Sequence, residues 1–72
     1  MSLVWERNGE TFYASVNALD GTVRYWLTAE PIPDGKWDWV VLSPDGKFEA
    51  QGVALTFHAA MSNAELCVPP LI

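Results

Sequence analysis

Proton transfer and nucleophilic attack near neutral pH draw on few side chains, and this 72-residue chain has one histidine, His58, and one cysteine, Cys67. Any general-base or nucleophile-activating scheme therefore passes through His58. Helical periodicity over the C-terminal third places Glu65 about 20° short of two full turns beyond His58, on the same side but ~10 Å further along the axis, too far for a direct pair. Cys67 falls about 180° around, so a continuous helix excludes a Cys-His dyad. His58 is read as an exposed residue on a narrow polar face with Ser62 and Glu65. No catalytic residue and no cofactor are expected.

Three acids, Asp34, Asp38 and Asp45, are close in sequence. Asp34 and Asp45 stand before glycines, where turns favour aspartate, and Asp38 alternates with Trp37 and Trp39 as the outer face of a strand would. The Asp-x-Asp-x-Asp-Gly spacing of a calcium loop is missing, a single Cys and a single His do not make an ordinary zinc site, and no glycine-rich phosphate cradle occurs. No metal site is expected. The aromatic content is more suggestive, with four Trp and two Tyr. Tyr13, Arg24 and Trp26 could form a stacking platform for single-stranded nucleic acid. Such platforms lie in a positive groove, whereas this chain has four basic residues against nine acidic ones and a net charge of −5. Nucleic acid is therefore the second reading, behind a protein partner.

These groups must be held by a single small domain, since the chain falls below the usual ~100–200 residues of one domain. Half of its residues are hydrophobic and 18% are charged, the balance of a globular chain. No apolar run approaches the ~18 residues of a membrane span, and the first residues lack a basic-then-apolar signal, so a cytoplasmic location is expected. Asn8-Gly9, Asp20-Gly21, Asp34-Gly35 and Asp45-Gly46 punctuate the first two-thirds, with segments rich in Val, Tyr, Trp, Phe and Thr between them. That pattern predicts an antiparallel meander with strands near 2–7, 10–17, 22–29, 36–43 and 47–51.

Two-residue loops at Asn8-Gly9 and Asp20-Gly21 set Trp5 opposite Phe12, Val16 opposite Tyr25 and Ala14 opposite Leu27. Leu3, Trp5, Phe12, Ala14, Val16, Tyr25 and Leu27 then share one face, joined by Trp37, Trp39 and Val41. Trp26 falls on the other face, with Val4, Tyr13, Arg24, Val40 and Leu42 as neighbours, an apolar patch rimmed by Glu6, Arg24 and Asp38.

From Gly52 the period changes. Val53, Phe57, Ala60, Met61 and Ala64 form a stripe about 100° wide, predicting a helix over 52–67 that Pro69-Pro70 must end. A second stripe, Leu55, Ala59, Ser62 and Leu66, lies on the opposite side. A helix with water behind it does not need one, so Leu55, Ala59 and Leu66 are the candidate interface of a homodimer, with the apolar tail 68–72 as the alternative cover.

The succession Trp5, Gly9, Tyr13-Ala14-Ser15-Val16, Trp37-Asp38-Trp39-Val40, Gly52-Val53-Ala54 and Phe57 resembles a loose class of short bacterial and phage proteins. Their β-meander carries Trp-x-Trp-x-Val and precedes a helix opening with Gly-x-Ala. The resemblance spans most of 4–66 and implies a fold without an activity. The segment from Gly9 to Gly21 is also similar to the opening of the partial RNase H-like HicB antitoxins, but there an acidic helix should follow, where Val23–Leu27 reads as a strand. The reading is an α+β domain over 1–72: a meander over 1–51, one C-terminal helix packed on one face, and a tail over 68–72. Its expected role is that of a non-enzymatic interaction module.

Overall fold

The computed structural model describes residues 3–69. Five strands, β1 (Glu6–Asn8), β2 (Thr11–Asn17), β3 (Val23–Pro31), β4 (Trp37–Leu42) and β5 (Phe48–Ala54), form one antiparallel sheet in the order β1-β2-β3-β4-β5. A single helix, α1 (Phe57–Leu66), packs across β3, β4 and β5. The α+β fold expected from the sequence is thus the fold observed.

Three of the four hairpins share one construction. Gly21, Gly35 and Gly46 donate to the carbonyls of Ala18, Ile32 and Ser43 at 2.9, 3.1 and 2.9 Å, while Ala18, Ile32 and Ser43 donate to Thr22, Lys36 and Lys47 at 2.9, 3.0 and 2.9 Å. The glycines have φ of 88°, 85° and 87°. This is a type I turn closed by a left-handed glycine, a three-residue loop rather than the two-residue loop expected at Asp20-Gly21. Leu19-Asp20-Gly21, Pro33-Asp34-Gly35 and Pro44-Asp45-Gly46 supply it, the prolines pre-setting φ and each aspartate accepting from the backbone amide two residues on. The longer loop alone would have slipped β3 against β2 by one residue. A bulge between Val16 and Asn17 restores the register, and Val16 faces Tyr25, Ala14 faces Leu27 and Phe12 faces Ala29 as expected.

The first hairpin differs. Asn8 faces Thr11, so its loop is Gly9-Glu10, not Asn8-Gly9. Positive φ is confined to Gly9, at 66°, the arrangement of a type II′ turn. The correction moves β1 by two residues and so leaves every side chain on its expected face.

The two carboxylates that the turns hold most firmly have lowered pKa values. Asp20 is pulled below the ordinary 3.8 by the amide and hydroxyl of Thr22, and Asp45 by the Ser43 hydroxyl and the Lys47 amide. Because the folded-state values are depressed, the stabilisation is complete above the unfolded value and is lost as pH falls through the folded ones. The thermal midpoint, followed from about pH 6 to pH 2, should hold steady and then decline below ~4, and Asp20→Asn with Asp45→Asn should flatten that decline.

The face toward α1 carries the core: Ala14, Leu27, Ala29, Trp39, Val41 and Ala54 from the sheet, Ala60 and Ala64 from the helix, with Leu3, Trp5, Val16, Tyr25, Trp37 and Phe57 packed around them. Among the described residues only Leu27 and Val41 are large and fully buried. Phe57 seals the N-terminal end of the helix, its ring 4.3 Å from Phe12 and 5.0 Å from Trp37. At the other end Glu65 accepts from the Trp5 indole at 2.8 Å and from the Leu3 amide at 3.4 Å, tying the chain before β1 to the last turn.

The strand-to-helix boundary departs from expectation. Residues 52–54 belong to β5, which extends to Ala54 rather than 51, and α1 begins at Phe57 behind the N-cap Thr56, whose hydroxyl accepts from Ala59 at 3.1 Å. Val53 is therefore on the sheet, not in the helical stripe. The C-terminus of the helix falls where the prolines require, with Cys67 as its cap. Of the tail over 68–72, Val68 packs against the core, and residues 70–72 lie outside the described residues.

Candidate functional site

With one face of the sheet committed to α1, the strand register dictates what the other face displays. One row across it reads Glu6, Tyr13, Thr28, Val40 and Gln51; the next reads Ser15, Trp26, Leu42 and Phe48. Period-two alternation puts Tyr13, Trp26, Val40, Leu42 and Phe48 on this outer surface because their neighbours Ala14, Leu27, Trp39 and Val41 face inward. Trp26 is 38% exposed and Phe48 59%. Tyr13 and Trp26 meet with ring centroids 6.4 Å apart at 56°, an edge-to-face contact that leaves the two ring planes unaligned.

Acidic groups line one side of this patch. Glu30 faces Asp38 across β3 and β4, Asp38 faces Val53, and Glu30 accepts from the Thr11 hydroxyl at 3.3 Å. Glu6, opposite Tyr13, adds a third carboxylate. Arg24 is the extra residue of the bulge in β3, exposed and close enough to Asp20 to help hold that carboxyl ionised. The structure thus brings Tyr13 and Trp26 together, with Arg24 two residues along the strand and partly compensated by an acid.

The second helix stripe is shorter than expected. Leu55, 75% exposed, precedes the N-cap and is not helical, Ala59 is half-buried against the core, and Leu66 is 83% exposed at the last turn. The helix begins five residues later than expected (Phe57 against Gly52), so Leu55 does not continue the helical row of Ala59 and Leu66. His58 is exposed beside Phe57, and Glu65, expected on the same polar face, is instead engaged by Trp5 and Leu3. Among the described residues no three His, Cys, Asp or Glu side chains converge so as to hold a metal ion, and no helix is long and apolar enough to cross a membrane.

The sequence did not single out Phe48 and placed Val53 in the buried stripe of the helix, yet both are large, exposed and on the edge strand β5. Their signal was weak, since Glu49, Ala50, Gly52 and Ala54 are of types depleted in strands.

The chain matches no protein-family model, no curated protein and no solved structure. The Gly-x-Ala helix opening that carried part of the resemblance to short bacterial and phage proteins lies within β5.

Proposed function

We propose that this domain is a non-enzymatic interaction module whose working surface is the outer face of the sheet. The observation that carries the reading is the row Trp26, Leu42 and Phe48 beside Tyr13, large exposed or half-buried apolar side chains around the buried Val40 on a face that α1 does not cover. Contiguous exposed apolar groups with a polar rim mark interaction sites. The rim here is Glu6, Glu30 and Asp38, and the whole chain has a charge of −5. The complementary partner is a protein element, apolar along its centre and flanked by Lys or Arg. Phosphates would meet the same carboxylates, which counts against a nucleic-acid strand. The contact between Tyr13 and Trp26, near Arg24, is the single feature in favour of that second reading.

Calorimetric titration separates the two. A short peptide alternating leucine with lysine should bind and a leucine-glutamate peptide should not, and Trp26→Ser should weaken the first at least ~10-fold, since aromatic anchors dominate such contacts. Oligothymidylate binding that fades as salt rises would overturn the protein reading in favour of the nucleic-acid one. Failure of both ligands would remove the outer face from consideration.

A further inference from the structure

The two edges of the sheet are not equivalent. β1 is three residues long, all exposed, and carries Glu6 and Arg7, features that blunt an edge against further pairing. β5 runs for seven residues, Phe48–Ala54, with no proline or lysine and one carboxylate, Glu49. Among the described residues no strand lies beyond it. Its outward backbone N–H and C=O groups form a template that only another extended backbone satisfies, so the chemistry of the edge specifies its partner as a strand.

We infer that β5 pairs antiparallel with β5 of a second copy of this chain, making one continuous ten-stranded sheet. Three observations select a second copy. Pairing about Gln51 sets Ala50 opposite Gly52 of the other copy and, with Glu49 the extra residue of its bulge, Phe48 opposite Val53. Phe48 and Val53, 59% and 57% exposed, stand on the same outer face. The two-fold axis brings Phe48 of each copy alongside Val53 of the other, covering both twice. The two Glu49 residues, meanwhile, fall at opposite ends of the seam, ~13 Å apart at 3.3 Å per residue and thus beyond the screening length. The symmetry is isologous, the usual one for homodimers. The bulge at Glu49 bends one end of the strand and leaves residues 50–54 regular. Strand-edge contacts bury less than ~1,200 Å², the class of weak, reversible association.

Sedimentation equilibrium of the intact chain between about 10 µM and 1 mM should show a monomer–dimer equilibrium, as that class implies. Phe48→Lys with Val53→Lys should hold the chain monomeric throughout, and Trp26→Ser should leave the dimer intact. Amide exchange of the parent gives a measurement that needs no variant: β5 amides should slow at least tenfold between the dilute and concentrated ends, with those of β1 unchanged. A parent that stays monomeric at the top concentration, or β5 amides indifferent to concentration, overturns the inference. So does a dimer that survives the two lysines or is abolished by Trp26→Ser. The inference does not rest on the outer face as a docking surface: a monomeric parent that still binds the leucine-lysine peptide removes the dimer and leaves that reading standing.

Discussion

The Trp39→Ala variant is expected to show no cooperative unfolding transition at all. Trp39 is 7% exposed at the centre of the sheet, opposite Ala29 on one side and Gly52 on the other, so the space around its indole is lined by small residues that cannot close over a hole. Truncating a buried tryptophan costs ~3–5 kcal/mol. A core of this size supplies about the same amount in total. Near-ultraviolet circular dichroism recorded during a thermal scan checks the result. A sharp transition close to that of the parent would mean that the fold does not depend on this side chain.

Gly52→Val should be the next most damaging change. A Cβ at position 52 would stand 2.7 Å from Cζ2, 2.8 Å from Cε2 and 2.9 Å from Nε1 of Trp39, closer than such atoms approach. The indole cannot swing away, since it is buried beneath α1 among Leu27, Ala29 and Val41. Its Nε1 already lacks a hydrogen-bond partner, so no bond is given up by moving it, only packing. Overpacking costs ~1–3 kcal/mol, and at ~4–8 °C per kcal/mol in a domain of this size the melting midpoint should fall by about 4–24 °C. The decisive measurement is the coupling. Trp39→Phe removes the crowded ring edge, so Gly52→Ala combined with Trp39→Phe should be less destabilised than the sum of the two single changes. Simple additivity would show that the glycine is there for another reason.

The same pair explains what could and could not be read from the sequence. The meander was legible because Asp-Gly dipeptides occur only where the chain turns, and because Phe12, Ala14 and Val16 alternate cleanly with polar neighbours. The turn type was missed at Asp20-Gly21, since Leu19-Asp20-Gly21 forms a three-residue loop and the bulge at Val16/Asn17 disguises the extra residue. The strand-to-helix boundary was lost for a deeper reason. The inward positions of β5 are Ala50, Gly52 and Ala54, small because Trp39 and the helix occupy the space above them. A strand whose buried side carries almost no hydrophobic bulk has no period-two signal, and Val53 and Leu55 then read as the start of a helical pattern. Tyr13, Val40 and Trp26 share the sheet face expected for them, but with β5 cut short Leu55 was assigned to a helix that starts only at Phe57.

The strand order has a kinetic consequence. Every strand in this sheet pairs with its neighbour in sequence, through turns of two or three residues, so nearly all of the backbone ladder can form by closing short loops. Chains dominated by local contacts cross their folding barrier quickly. The tie of Glu65 to Trp5 and Leu3 is the exception, joining residues 60 and 62 positions apart. It can close only after the meander has rolled up and α1 has docked, which makes it a late event on the way in and an early one to release on the way out. Loosening it should therefore speed unfolding and leave the folding rate almost untouched.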